Sequence, residues 1–389
     1  VAVYDDVLPP QQIVERYALK AASFPKPREE IVLKSGPWLK FTGSNAAVVK
    51  WETVEATLTS LTLNPKSGVR SAKPVMYEDE RLKTQHQVKL EGLKRNRIYS
   101  YEIQSVVNGK AGVTREFECD TFFDYTVPVG NRSHSLGKDA EQSSKQADVV
   151  LRKARVDRGV GLVVGLKDGK LVRSLCRNSD LRIVAVDDDE LRVMAVRESL
   201  NDLYGVRMTV HYVDDLKSLP FVGHFANLVT TERSLTDGLP STLQNVVKQL
   251  RPDGGVAVFG EPSVDGATAL SVEQRAELSG KLNTSTATKL QESFDSTFVD
   301  DSDGVWITLR TNAWQGTGEW SHLYGSTDNS AFAGESLSGV RSREDLFVQW
   351  VGRPGPRYQA DRSGRKPSPL AVGGRLFLQG LERIVALDS

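Results

Sequence analysis

GVGLVVGLKDGKLVRSLCRNSDLRIVAVDDDELRVMAVRESLNDLYG, residues 159–205, decides the fold. GVGLVVGL is a short β run with apolar residues toward both faces, the pattern of a central strand in a parallel sheet. KLVRSLCRNS then turns helical, LRIVAVD returns to β, and DELRVMAVRESLNDLYG is helical again. Working outward, ADVVLRKARV just upstream reads as a helix with one apolar face. Downstream come a strand RMTVHYV, a loop DDLKSLPFVG, a strand FANLVTTE, a helix LPSTLQNVVKQL, a turn RPDGG and a strand VAVFGEP. Strand and helix alternate at the spacing of right-handed βαβ units, so residues 147–312 are expected to form an α/β domain, a doubly wound parallel sheet. Ligands of such sheets bind beyond the carboxyl ends of the strands, near the switch point.

The turns at those strand ends carry a family resemblance. The first strand ends in VVGLKDG, the second in VAVDDD, the third runs into VDDLKSLPF, and LRPDGG at 250–255 precedes the fifth. On these residues the segment resembles a class I S-adenosylmethionine-dependent methyltransferase, a Rossmann-like fold. The resemblance implies that Gly165 and Gly169 are the outer glycines of a cofactor turn. Lys167 stands where a middle glycine is usual, and Val163 where an acidic residue is common. It further implies that Asp187 is the ribose-binding carboxylate, about 20 residues after the glycine turn, and a carboxylate can accept from two hydroxyls at once. Asp215 matches the acid that reads the adenine amino group, with Leu216 as its backbone neighbour. Thr231 and Glu232 fall on the rim where substrate or the methionine moiety would lie. The plain alternatives stay open: glycines after a strand form turns, Asp188 and Asp189 cap a helix, and RPDGG is an ordinary turn.

Catalytic residues and the methyl acceptor are unassigned. Nothing after the fourth strand resembles the aromatic-proline signatures of amine or nucleobase methylation. His211 and His224 offer a general base by proximity in sequence only, against a surface or packing role. Lys167 sets a cation near a cofactor that carries a positive sulfonium, which weakens binding unless its side chain turns to solvent or to the methionine carboxylate.

Upstream, IVLKSGPWLKFTG, AAVVKWET, TLTSLTLNP, QHQVKLEGL, IYSYEIQSVVNG and TREFECDTF alternate β-rich runs with turns, the pattern of a small antiparallel β-sandwich over residues 31–125. On GPWL at 36–39, Trp51, Leu93 and Tyr99 this segment resembles the fibronectin type III-like domain that precedes the catalytic domain of purple acid phosphatases. Trp38, Trp51 and Tyr99 are expected to pack in its core. The phosphatase metal-binding runs DxH, GDxx and GHxH occur nowhere in the chain, so the sandwich reads as an accessory module. Residues 1–30 read as a lead-in with a short helix stopped at PKP. Residues 126–146, polar and rich in glycine and serine at their start, read as a linker.

From 313 onward the βαβ rhythm stops. WSHLYGSTDNSAFAGE at 320–335, Val348 to Trp350 and the hairpin GGRLFLQGLERIVALD at 373–388 resemble the start of a pyrroloquinoline quinone (PQQ) dehydrogenase-like β-propeller. One blade closes no ring, so the remaining blades are expected on a longer chain, and a PQQ cofactor would depend on them. RPGPRYQADRSGRKPSP reads as an exposed insertion.

Lysine plus arginine equals aspartate plus glutamate at 50 each in 389 residues, which removes the electrostatic argument for nucleic acid. Cys119 and Cys176 fall in different segments and give neither a disulfide framework nor metal-ligand spacing, so no metal is expected. No apolar run reaches the ~18 residues of a membrane-spanning helix. The three-module order resembles large exported proteins of planctomycete-type bacteria, which places the chain outside the cytoplasm, where S-adenosylmethionine is not normally supplied. Three functions follow: a methyltransferase acting on a small-molecule or protein acceptor, a non-catalytic extracytoplasmic scaffold, or the front of a quinoprotein.

Overall fold

Burial alternates along the first strands of the chain and is continuous along the central strands of its second half. The structure, a computed structural model, describes residues 33–66, 74–107, 110–127, 138–263, 270–286, 294–314, 316–336, 369–379 and 384–388, with residues 11, 342 and 343. The lead-in at 1–30, apart from residue 11, the stretch Val348 to Trp350 and nearly all of the basic insertion lie outside the described residues. Two compact units divide the chain at Tyr125 and Thr126.

In the first unit, β1 (Ser35–Gly43), β2 (Ala46–Pro65), β3 (Val75–Leu90), β4 (Ile98–Val107), β5 (Lys110–Val113) and β6 (Phe117–Asp120) are all antiparallel. Where the sequence reads AAVVKWET and TLTSLTLNP as two strands, β2 is one strand of 20 residues. Its first half pairs with β1 and its second with β4, while β3 follows both, with register breaks between Glu52 and Thr59. Hydrogen bonding therefore links six strands into one sheet. Ala47, Val49 and Trp51 from one half share a core with Leu61, Leu63, Tyr101 and Ile103 from the other. The register breaks lie between these two halves of the strand.

Leu93 is buried, and the half-buried Tyr99 accepts a hydrogen bond at its hydroxyl from Lys94 N at 2.9 Å, which ties the turn before β4 to that strand. Trp51 is in the core as expected. Trp38 is not: it is 55% exposed, because β1 pairs only with β2 and its burial alternates between half-buried and exposed positions.

The second unit holds the doubly wound sheet. Helix α1 (Lys138–Ala154) begins inside the stretch read as linker. There follow β7 (Arg158–Val164), α2 (Lys170–Asn178), β8 (Asp180–Asp187), α3 (Glu190–Ser199), β9 (Met208–Tyr212), β10 (Leu228–Thr230), α4 (Leu243–Gln249), β11 (Val256–Pro262), α5 (Val272–Thr286), β12 (Phe294–Asp301) and β13 (Gly304–Thr311). The strand order is β12-β13-β11-β10-β7-β8-β9. Strands β7 to β11 are parallel where they pair, and β13 runs antiparallel between β11 and β12. The parallel sheet is thus observed, with an antiparallel hairpin added at one edge that the sequence left undivided between 263 and 312.

The chain runs from β7 outward to β9, then returns to the other side of β7 with β10. That reversal is the switch point. Side chains alternate across the sheet: Val163, Ile183 and Ala185 face α1, α2 and α3 through Ala147, Val150, Leu171, Leu175, Val193 and Val196. Leu162, Val164 and Val186 face the other way, with Val246 of α4 and Leu278 of α5. Helices on both faces leave the strand ends as the place open to a ligand.

Within the tail, β14 (Leu370–Val372), β15 (Arg375–Gln379) and β16 (Ile384–Asp388) form a three-stranded antiparallel sheet. Gly373 and Gly374, at φ +55° and +70°, make the two-residue turn between β14 and β15 that only glycine or a few polar residues accept. No helix among the described residues is long and apolar enough to cross a membrane.

Candidate functional site

Three loops meet at the carboxyl ends of β7, β8 and β10. Gly165 follows β7 with φ +82°, donates to Val186 O at 2.9 Å, and accepts at its carbonyl from Glu232 N at 3.0 Å. Gly169, at φ +78°, sits at the N-cap of α2. Both glycines are needed for conformation and for space. A Cβ on Gly165 would lie 2.9 Å from the Arg233 side chain, and one on Gly169 2.9 Å from Val196.

Asp187 ends β8 with no solvent exposure. A bare buried carboxylate costs several kcal/mol, so it must be paired. Its Oδ2 accepts from Leu166 N at 2.6 Å and from the Arg233 guanidinium at 3.0 Å; its Oδ1 accepts from Asp189 N and the Arg192 guanidinium, both at 2.9 Å. Each oxygen therefore holds one backbone N–H and one guanidinium. A carboxylate offers about four acceptor positions, and here all four are taken.

Glu232 and Thr231 follow β10. The sequence places them on a substrate rim; both are buried instead. Glu232 Oε2 accepts from Lys167 N and Gly169 N at 2.9 Å, and Oε1 from Val172 N at 3.1 Å. The first N–H groups of a helix have no partner within it and carry the positive end of its dipole, so a carboxylate from the next loop serves as their cap. Burial pushes the Glu232 carboxyl above the usual range, and the three N–H donors pull against that. Thr231 Oγ1 donates to Gly165 O at 3.3 Å and accepts from Arg233 N at 3.0 Å. Together they lock the loop after β10 onto the glycine turn.

Arg233 lies across Gly165, and its guanidinium bridges Asp187 to Asp188. Burial alone would raise the Asp188 carboxyl; the Arg233 hydrogen bond and charge outweigh it and hold Asp188 below the usual range. Asp189 caps α3, accepting from Arg192 N at 3.1 Å, as the capping alternative had it. Lys167 is exposed and meets Glu232 through its backbone alone.

Asp215 is exposed and closes its own turn, accepting from Lys217 N at 2.8 Å. It lies just beyond Val213, whose N–H donates to Asp187 O at 3.0 Å. Leu216 is buried, with its carbonyl accepting from Asn245 at 3.3 Å. His211 pairs with Thr209 on β9, and His224 meets Trp314 edge-on at 4.8 Å. Neither histidine has a recorded contact with the loops after β7 and β8.

The sequence pointed to the acids and glycines but missed Arg192, Arg233 and Glu261. Glu261, at the end of β11, accepts from Ser234 Oγ at 2.7 Å and Leu235 N at 2.9 Å and so anchors the far end of the β10 loop. One signal was available: Arg192 is a cation in the first turn of a helix, where the dipole disfavours it, and such a placement asks for a nearby carboxylate. Cys119 and Cys176 are both unbonded and buried, and burial pushes each thiol up to about 12. Among the described residues no cluster of His, Cys, Asp or Glu is arranged to hold a metal ion.

The fold and strand-end loops define a doubly wound α/β domain of Rossmann type. No protein-family model matches the sequence, and no curated protein matches it. Solved structures similar to it include an S-adenosylmethionine-dependent methyltransferase from Aquifex aeolicus, at 13% identity and TM-score 0.33, covering 45% of this chain and 98% of that one. Precorrin-6y C5,15-methyltransferase from Geobacter metallireducens is similar at 13% identity and TM-score 0.33, covering 48% and 100%. The [4+2]-cyclase SpnF is similar at 15% identity and TM-score 0.33, covering 44% and 82%.

Proposed function

We propose that residues 147–312 bind S-adenosylmethionine and transfer its methyl group to a small-molecule or protein acceptor. One observation supports the reading: Asp187 ends the strand beside the glycine turn, at the switch point, and is held toward that turn by Leu166 N. A carboxylate at that strand end is placed to accept from a ribose hydroxyl when one of its four present donors gives way. Asp215, exposed beyond the neighbouring strand, is the candidate for the adenine amino group, and Leu216 for its backbone neighbour.

Titration calorimetry of the whole chain with S-adenosylhomocysteine tests it. Binding that Asp187→Ala abolishes is the expected result; no heat from the folded wild-type protein or from a folded Arg233→Ala variant ends the reading. A non-catalytic scaffold is the second reading, and it has its own observation. The four acceptor positions of Asp187 and the N–H groups of the glycine loop are filled by the protein itself. A PQQ site and an extracytoplasmic location remain proposals resting on the tail's resemblance to a propeller.

A further inference from the structure

Arg233 and Glu232 are neighbours in sequence, and both tie the loop after β10 to the loops after β7 and β8, but in different ways. Glu232 is buried, and its carboxylate holds three backbone N–H groups, so it belongs to the construction of the loop. Arg233 is less enclosed, with its side chain 27% exposed. It occupies two places that a bound nucleoside would use: the surface of Gly165, where no Cβ intervenes, and one oxygen of Asp187. Its guanidinium also contacts Asp188, whose side chain is 39% exposed.

A buried and a surface carboxylate thus flank one cation. Because the guanidinium is bonded to both carboxylates, a turn of the Arg233 side chain that gives up Asp187 could keep Asp188 as its partner. Asp187 would not be stranded by that turn, because Arg192, Leu166 N and Asp189 N still donate to it.

We propose that Arg233 is an internal gate on the nucleoside site: it closes the cleft by pairing with Asp187, and a ribose diol must displace it to bind. This rests on the cofactor-binding reading above and adds its regulation. A ligand that binds only the open arrangement loses apparent affinity in proportion to the closed fraction. One guanidinium–carboxylate contact of this kind corresponds to a factor on the order of ten.

The test is calorimetric titration of the whole chain with S-adenosylhomocysteine, wild type against Arg233→Ala, with circular dichroism to verify that both are folded. Affinity on the order of tenfold tighter in Arg233→Ala is expected. That direction separates a gate from a structural role, since a residue that merely supports the fold would weaken binding when removed. Equal or weaker binding by the folded variant overturns the gate while wild-type binding leaves the cofactor reading intact. No binding by either protein, both folded, overturns the cofactor reading and the gate with it.

Discussion

Glu232 is a carboxylate with three donors and almost no solvent, and its proton should be visible in the stability of the protein. Its folded-state value is raised above the ordinary 4.5, with burial as the largest cause. The folded state then holds the proton more tightly than the unfolded chain does. Stability from this group is complete below the unfolded value and is lost as pH rises through the raised folded value. Glu232→Gln cannot ionise, so its unfolding free energy relative to wild type should increase with pH across that interval. Urea unfolding at a series of pH values measures the difference. A decrease instead would mean that the three N–H donors and the helix dipole outweigh burial. At this scale the sequence was half legible. Asp187, Gly165 and Gly169 announce themselves by following strands and Arg192 by its place in a first helical turn, but Arg233 reaches Asp187 from 46 residues away, and no local pattern encodes that.

Two elements show how far a strand depends on its neighbour. Gly260 in β11 lies opposite Trp306 in β13, and a Cβ there would fall 1.8 Å from the indole. Trp306 has no exposure, so the ring has no empty place to move into. Gly260→Ala should destabilise the second unit by about 1–3 kcal/mol or more, read as a lower midpoint in chemical denaturation. An unchanged midpoint would show that the ring has room to shift. In the first unit, Tyr99→Phe removes the acceptor for Lys94 N. Because that bond is exposed, the loss should be small, about 0.5–1 kcal/mol. The parallel strands were readable because burial on both faces makes them apolar throughout. The continuous β2 was not: Glu52 to Thr59 contains polar and charged residues that look like a turn, yet the chain carries the strand through them with shifted register. Helix α1 was expected to start at 147 because its first turns are polar, and its apolar stripe of Ala147, Val150 and Ala154 begins only where it meets the sheet.

Across the molecule, burial falls into separate cores. Trp51, Leu61 and Ile103 form one, while the two faces of the doubly wound sheet form the others. Among the described residues, each of these clusters draws its members from one unit. The first unit buries residues from both halves of its long β2 in one core, and the parallel sheet has helices over both of its faces. Cooperative unfolding follows shared burial, so each unit should behave as its own transition. Scanning calorimetry is expected to resolve two. Leu61→Ala deletes a fully buried side chain in the first unit and Leu162→Ala one in the second, each at a cost of about 2–5 kcal/mol. Each substitution should lower its own transition and leave the other in place. A single transition lowered by both would show that the units unfold together, and the site at the ends of β7 and β8 would then draw its stability from the whole chain.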